Sequence, residues 1–173
     1  NSISGDQYKY DFALDGSGRV AKAIGKSYVA GLHMVDHSYH YDTKGRLIID
    51  SVLTKGGGVH SYVNFEYDNN DNVIAYQQFV NQGTSFYSQG RWTFQYDTKR
   101  SPYYSIGQLL YTSLGANSVS YFYLSKNNPL RAILNNEVMT PGSAFKYGYY
   151  SNALLRTSTL NVPNAMMMTF YYE

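Results

Sequence analysis

A short pattern, an aromatic residue followed two positions later by tyrosine, recurs along the whole chain. Its seven copies are Tyr8/Tyr10, Tyr39/Tyr41, Phe65/Tyr67, Phe94/Tyr96, Tyr121/Tyr123, Tyr147/Tyr149 and Phe170/Tyr172. Residues two apart point to the same face of a β-strand, so each pair places two rings on one face. The segment between successive copies is long enough for one β-hairpin and too short for a helix in every unit. The repeat therefore predicts a chain of antiparallel hairpins.

Polar turns separate the predicted strands. The clearest turn runs from Asp42 to Gly45, where Asp at the first position and Gly at the fourth favour a type I turn closed by a residue with positive φ. The run 68–72 predicts the same turn with Asn in the place of glycine, because Asn tolerates the left-handed conformation. In the first unit we expect a lengthened turn over residues 11–18. Further turns, some of them degenerate, are predicted at 54–58, 81–84, 126–129 and 151–152.

The composition agrees with a chain of hairpins, since aromatic residues make up 17% of the sequence and charged residues 15%. Aromatic residues favour strands, whereas helices are rich in Glu, Lys and Ala. We therefore predict an all-β antiparallel meander of about 12–14 short strands, curled into a barrel or half-barrel. Apolar residues at helical spacing predict one short helix near residues 103–114. We expect residues 1–7 to form a polar N-terminal tail and residues 8–173 to form a single domain.

Charge and cysteine content exclude several classes of function. The net charge is +2, which supplies no strong field for phosphate backbones, so we predict no nucleic-acid partner. The sequence has no cysteine, which excludes disulfides and thiolate metal sites within it. No apolar run is long enough for a transmembrane helix. The polar start, without the features of a signal peptide, fits either a cytoplasmic protein or an exported one whose leader and tether have been removed.

Residues 41–47, Tyr-Asp-Thr-Lys-Gly-Arg-Leu, resemble the tyrosine–aspartate (YD) repeat of Rhs-type and related secreted proteins. The core of that repeat is Tyr-Asp followed by a turn, Gly-Arg and an aliphatic residue. The units beginning at 67–68 and 96–97 match it in part, and the unit at 10–11 keeps Tyr-Asp with the Gly-Arg pair displaced. The last three units lose the Asp, so the resemblance is strongest in the first half of the chain.

The whole sequence, including Lys-Asn-Asn-Pro at 126–129, also resembles a Bacteroides-type family of exported lipoproteins of unknown function with a porin-like barrel. This resemblance implies an exported protein of the periplasm or cell surface, made as a precursor with a signal peptide and a lipid-anchor cysteine. It implies contact with the membrane only through that anchor, which this chain does not contain. It implies no catalytic residues.

One stretch of the sequence fits a motif known from enzymes. Residues 16–21 fit the dinucleotide-binding form G-x-G-x-x-G/A, and Asp36 lies where an acidic ribose partner would fall. That fingerprint needs a buried strand before it, a helix after it and βαβ units beyond it, whereas this chain supplies hairpins. No nucleophile elbow is present, and no pair of acidic residues is nominated by the spacing. We therefore predict no cofactor and no catalytic residue.

Metal binding is also predicted to be absent. His33, His37 and His40 cluster with Asp36, but residues four apart in a strand stand roughly 13 Å apart, too far for one metal ion. The run 68–72 offers oxygen ligands for calcium, yet no Glu follows at the position that an EF-hand requires. A hydrogen-bonded turn is the alternative for this run.

The predicted ligand site is centred on Trp92, the single tryptophan. Phe94 and Tyr96 share its strand face and Arg91 is adjacent, and such rings stack on sugars while tyrosine hydroxyls donate hydrogen bonds. Tyr67 and Tyr41 extend this patch at about 10 Å per hairpin, a spacing that suits a linear glycan or an extended peptide. The alternative is that these rings fill the core of a curved sheet.

We therefore expect a non-enzymatic exported cell-envelope protein that binds a glycan, a peptide or a partner protein through an aromatic-lined surface. A carbohydrate-active hydrolase, with carboxylates brought together across the sheet, is the alternative. A membrane-spanning barrel is a further one. It is disfavoured because Asn64, Glu66 and Gln95 interrupt one strand face.

Overall fold

The computed structural model describes residues 8–27, 35–107, 111, 123–134, 137–138, 145–149, 155–160 and 167–169. Within these residues the chain forms twelve β-strands, and Tyr104–Ile106 forms a short 3-10 helix. The strands are β1 (Tyr8–Leu14), β2 (Val20–Ser27), β3 (Asp36–Tyr41), β4 (Leu47–Leu53), β5 (Val59–Tyr67), β6 (Val73–Asn81), β7 (Phe86–Arg100), β8 (Asn127–Leu134), β9 (Glu137–Val138), β10 (Phe145–Tyr149), β11 (Leu155–Leu160) and β12 (Met167–Thr169). The number of strands confirms the prediction.

The strands follow one another in the order of the sequence. Nine of them form one sheet in the order β1 to β9, and β10 to β12 form a second, three-stranded sheet. Neighbouring strands run antiparallel, for example β1 with β2, β3 with β4 and β7 with β8. The all-β antiparallel meander is therefore confirmed. The order of the larger sheet has two ends, β1 and β9, so pairing among the described strands does not close it.

Near residues 103–114, where one short helix was predicted, the described residues form a 3-10 turn, Tyr104–Ile106, and Gly107 and Tyr111 are α-helical. Residues 108–110 and 112–114 lie outside the described residues, as do the predicted tail 1–7 and the predicted turn at 151–152. Among the described residues, no helix has the length and apolar character needed to cross a membrane.

The chain divides into two compact units. Unit 1 comprises residues 1–64 and 78–89, and unit 2 comprises residues 65–77 and 90–173. The boundaries fall inside β5, β6 and β7, so each unit contains parts of these three strands. The prediction of a single domain over residues 8–173 stays a prediction.

The turn at Asp42 forms as predicted. The Asp42 carbonyl accepts a hydrogen bond from Gly45 N at 2.9 Å, and Gly45 has φ +82°. One carboxylate oxygen of Asp42 accepts from the backbone amides of Lys44 and Arg46, both at 2.9 Å. The other accepts from Arg46 Nε at 2.8 Å. A single carboxylate thus holds the whole turn, which is the physical reason for Asp at its first position.

The first hairpin uses the same turn, so the prediction of a lengthened turn over 11–18 was wrong. Asp15 takes the role of the turn aspartate and accepts from Ser17 N, Arg19 N and Arg19 Nε. Asp11 lies inside β1, opposite Ile24. The extra residues lengthen the strands and leave the turn unchanged, because strand pairing continues past the Tyr-Asp dipeptide.

The third turn places aspartate where asparagine was expected. Asp71 has φ +62° and occupies the position of the turn glycine. Asn72 occupies the position of the turn arginine and donates from Nδ2 to Asp68 Oδ2 at 3.1 Å. Aspartate is among the few residues besides glycine that adopt the left-handed conformation at modest cost.

The predicted degenerate turn at 126–129 was also wrong, because these residues begin β8. Asn127 N donates to Asn72 Oδ1 at 2.8 Å, and Asn72 Nδ2 donates to Asn127 Oδ1 at 3.0 Å. Asn128 is buried, and its backbone amide donates to Asp97 Oδ1 at 3.1 Å. The start of β8 therefore bonds to the turn at Asn72 and to β7 at Asp97 instead of forming a turn of its own.

The second tyrosine of the aromatic pair ties one hairpin to the preceding one. Tyr41 Oη donates to the carbonyl of Val20, the first residue of β2, at 2.7 Å. Tyr96 Oη donates at 2.6 Å to the carbonyl of Val73, the first residue of β6. Phenylalanine could not make this bond. The geometry gives a physical reason for tyrosine at the second position of these two pairs.

Candidate functional site

Aromatic rings form a row on one face of β5, β6 and β7 in unit 2. The Tyr76 ring stacks on Trp92 at 6.1 Å and on Phe94 at 5.9 Å between centroids. Phe65 lies 6.4 Å from the Tyr76 ring. Phe94 is 6% exposed, whereas Trp92 and Tyr76 are half-buried. Burial raises the pKa of Tyr76 to about 12. The row is thus a partly covered stack with Trp92 at one end.

Tyr96 continues the same strand face and uses its hydroxyl within the fold. Besides donating to Val73, Tyr96 Oη accepts from Ser125 Oγ at 2.8 Å. Ser125 is fully buried, and its Oγ accepts from Val73 N at 3.1 Å. Burial raises the pKa of Tyr96 well above its usual range, against the opposing effect of the Ser125 hydrogen bond. Tyr96 therefore anchors the row.

Arg91 points to the opposite face from Trp92, because successive strand residues alternate. It forms a bidentate ion pair with Glu66, with Nη1 bonded to Oε1 and Nη2 bonded to Oε2 at 2.7 Å. These hydrogen bonds lower the pKa of Glu66 and raise that of Arg91. Adjacency in sequence thus did not bring Arg91 to the rings, and the structure separates this predicted site residue from Phe94 and Tyr96.

The other two predicted site residues lie at strand ends. Tyr67 ends β5 in unit 2 and is half-buried. Tyr41 ends β3 in unit 1, where the Arg19 guanidinium lies 4.6 Å from its ring centroid. Burial is the main cause that raises the pKa of Tyr41 to about 12. Ligand binding by Trp92, Phe94, Tyr96, Tyr67, Tyr41 and Arg91 stays a prediction.

In the part of the chain that it describes, the structure does not bring the predicted cluster of histidines and Asp36 together. His37 Nδ1 lies 2.8 Å from Asp50 Oδ1, and both side chains are buried. His40 is exposed, Asp36 accepts from Gly25 N at 3.0 Å, and His33 lies outside the described residues. Within the described residues, no three His, Cys, Asp or Glu side chains are placed to share a metal ion.

The His37–Asp50 pair and the central ring Tyr76 were missed by sequence reasoning. Asp50 is the one charged residue in β4, and it lies directly opposite Tyr39. A charged residue on an aromatic face would have signalled a buried partner. Burial, followed by the charge of Asp50, raises the pKa of Tyr39 well above its usual range.

The carboxylates of the turns are engaged in holding those turns. Asp68 Oδ1 accepts from Asn70 N and Asn72 N, both at 2.8 Å. Asp97, which lies inside β7, is likewise engaged, because it accepts from Lys99 N at 2.9 Å and from Asn128. The run 68–72, with its oxygen ligands suited to calcium, therefore forms a hydrogen-bonded turn. The dinucleotide motif at 16–21 forms the turn and first strand residues of a hairpin, without the helix that a phosphate site requires.

Comparison with solved structures finds a protein with a similar fold. The chain is similar to a porin-like protein from Bacteroides uniformis, with a TM-score of 0.54 and 13% sequence identity. The alignment covers 94% of this chain and 68% of that chain. No protein-family model matches the sequence, and no curated protein does. At this identity the likeness shows a shared porin-like β fold, as expected from the Bacteroides-type resemblance.

Proposed function

We propose that this chain is a non-enzymatic protein of the cell envelope that binds a glycan, a peptide or a partner protein through aromatic rings of its sheet. The observation that carries the proposal is the β fold shared with a porin-like protein of a Bacteroides species. Porins are proteins of the bacterial outer membrane, so this fold favours an envelope location. The Tyr-Asp turns at Asp42 and Asp68 support the further proposal of YD-like hairpins in an exported lipoprotein.

The location is tested on the full-length gene product in its own organism. Fractionation and antibody detection should place the protein in the envelope, and labelling with a fatty-acid analogue should mark a lipid anchor. A protein found only in the cytoplasmic fraction would overturn the envelope proposal. Envelope recovery without label would retain the location and remove the anchor.

The row Trp92–Tyr76–Phe94 is our proposed contact for the ligand. Stacked rings with one half-exposed member resemble the surfaces on which sugar rings pack, because the ring faces bind C–H groups. Trp92 is the single tryptophan, so its fluorescence reports on this row alone. We expect partial quenching by iodide and a shift of emission with one member of a glycan and peptide panel. Emission that iodide does not quench and that no member of the panel shifts would show that Trp92 belongs to the core.

The same panel tests the non-enzymatic part of the proposal. Each glycan is incubated with the protein and assayed for newly formed reducing ends. We expect binding without product. Release of reducing ends, lost when a candidate carboxylate is replaced by its amide, would show the hydrolase instead.

A further inference from the structure

The hairpin tip between β6 and β7 differs in chemistry from the rest of unit 1. Residues 72–90 contain no Asp, Glu, Lys or Arg, and residues 82–89 are all exposed. The turns at the opposite end of the strands of unit 1, β1–β2 at Asp15 and β3–β4 at Asp42, carry aspartate–arginine ion pairs. One end of unit 1 is therefore charged, and this tip is neutral.

Aromatic side chains are concentrated at the tip. Tyr62 stacks on Phe79 with centroids 4.8 Å apart, and Phe86 meets Tyr62 edge-on at 5.0 Å. Phe86 is 41% exposed and Tyr87 is 51% exposed. Successive strand residues point to opposite faces, so the two exposed rings flank both sides of the hairpin. The stack beneath Phe86 supports its ring from one side and leaves part of it open to solvent.

The tip is held in one conformation by hydrogen bonds. Asn81 Nδ2 donates to Val59 O at 3.1 Å, which ties the end of β6 to the start of β5. Gly83 N donates to Asn81 Oδ1 at 2.8 Å. Gln82 N donates to Ser85 O at 3.0 Å across a two-residue loop in which Gly83 has φ +98°. Such a loop presents its rings already ordered, which lowers the entropic cost of binding.

The side chains around the rings are amides and hydroxyls. The exposed ones are Gln78, Gln82, Thr84, Ser85, Ser88 and Gln89. Amides and hydroxyls donate and accept hydrogen bonds with sugar hydroxyls, while the faces of Phe86 and Tyr87 suit the C–H faces of sugar rings. Nucleic acid and anionic lipid both require Lys or Arg, which the tip lacks. Insertion into a neutral membrane would strip water from the amides without replacing their hydrogen bonds.

We propose that this tip binds an uncharged glycan, with Phe86 and Tyr87 as stacking residues and the amide and hydroxyl side chains as hydrogen-bonding groups. The inference rests on the proposed function in its glycan-binding form. It adds a ligand class, neutral polysaccharide, and a second site whose residues are separate from the row Trp92–Tyr76–Phe94.

Affinity electrophoresis tests the inference on the whole chain. Native gels contain a β-glucan, a mannan or a galactan as uncharged polysaccharides, and polygalacturonate as the charged comparison. We expect at least one uncharged polymer to retard the protein. Phe86→Ala and Tyr87→Ala should each weaken this retardation about tenfold in apparent Kd, the size expected for one lost stacking contact.

Matched control variants show whether the retardation depends on the rings of the tip. Phe12→Ala removes an aromatic ring of similar exposure, 43%, from β1 in the same unit, and should leave retardation unchanged. Trp92→Phe is measured alongside as the separate test of the row Trp92–Tyr76–Phe94, and Phe12→Ala is the control for the tip. Urea unfolding of each variant shows whether it folds. If Phe86→Ala does not fold, Tyr87→Ala alone tests the role of the exposed rings.

Several results would overturn the inference. The first is retardation by polygalacturonate alone, or by none of the uncharged polymers. The second is retardation that both tip variants keep. The third is sedimentation of the protein with phosphatidylcholine vesicles that Phe86→Ala abolishes. Retardation lost in Trp92→Phe and kept in both tip variants would also remove the tip site, while it would support the Trp92 row of the proposed function. The two failures are therefore distinguishable.

Discussion

Single hydroxyl groups connect the hairpins at the scale of residues. Tyr41 bonds to the carbonyl of Val20, and Tyr96 bonds to Val73 and to Ser125. These bonds lie where one hairpin meets the next, so an aromatic ring alone does not satisfy the position. Tyrosine at positions 41 and 96 meets this requirement.

Replacing these tyrosines with phenylalanine removes the bond and keeps the ring. We expect Tyr41→Phe to lower the free energy of unfolding by about 1 kcal/mol, and Tyr96→Phe by about 2–3 kcal/mol because it leaves several groups unpaired. Tyr87→Phe, at an exposed ring, should change it by less than about 0.5 kcal/mol. Urea unfolding measures all three. Equal effects in the three variants would contradict the role of the hydroxyl.

The buried His37–Asp50 pair is the second feature at this scale. Asp50 is 1% exposed and His37 is 4% exposed, so removing either one leaves the other buried without its bond. We expect Asp50→Leu and His37→Leu each to lower the free energy of unfolding by about 3 kcal/mol. The double variant should cost clearly less than the two single costs added together, because no buried polar group is orphaned. Additive costs in urea unfolding would count against a coupled pair.

At the scale of elements, the same turn recurs in several hairpins because one aspartate carboxylate accepts the hydrogen bonds that hold it. Burial raises the pKa of the Asp42 carboxyl, but hydrogen bonds from Arg46 outweigh burial and leave that pKa below its usual value. At Asp15 the hydrogen bonds from Arg19 lower the pKa in the same way. The stabilisation by both turns is therefore present above the usual aspartate pKa and is lost as the pH falls through the lowered values.

Gly45 is the turn position with two separate constraints. Its φ of +82° is unfavourable for a residue with a side chain, and an added Cβ would lie 3.4 Å from Arg19 Nη1. We expect Gly45→Ala to lower the free energy of unfolding by about 1–2 kcal/mol. Gly56 is the matched control, since it lies in a turn with nothing within 4 Å of an added Cβ and without a positive φ. Gly56→Ala should be neutral in the same urea titration, and a loss as large as that of Gly45→Ala would contradict the role of the positive φ.

For the molecule as a whole, buried tyrosines make stability depend on pH. Tyr41 and Tyr76 have pKa values raised to about 12, against about 10 for tyrosine in an unfolded chain. Between these values the unfolded chain releases protons that the folded chain keeps. The unfolded state then binds fewer protons, so stability falls as pH rises.

We expect the urea midpoint to decline steadily from about pH 10 to pH 12, the window between the unfolded and folded tyrosine pKa values. Tyr76→Phe keeps the ring of the aromatic row and removes one of the titrating groups, so its decline should be shallower. Tyrosinate absorbance, followed alongside, should rise together with unfolding. A midpoint that stays constant to pH 12, or an identical decline in Tyr76→Phe, would contradict this origin.

The sequence by itself determined the features that depend on neighbouring residues. Strand alternation, the Asp-x-x-Gly turn at Asp42 and the turn near Gly83 are local, so the antiparallel meander could be predicted without a partner strand in view. Many different sequences satisfy these local patterns. A fold can therefore be shared with a porin-like protein at 13% identity.

Only the tertiary structure decided which side chains meet. The pairing of His37 with Asp50, the docking of Asn127 on Asn72 and the pairing of Arg91 with Glu66 depend on the register between strands. A shift of one residue sends a strand side chain to the other face, so such contacts follow from the packed sheet. The candidate site was therefore predicted as a strand face, and its central ring, Tyr76, was found only when the strands were paired.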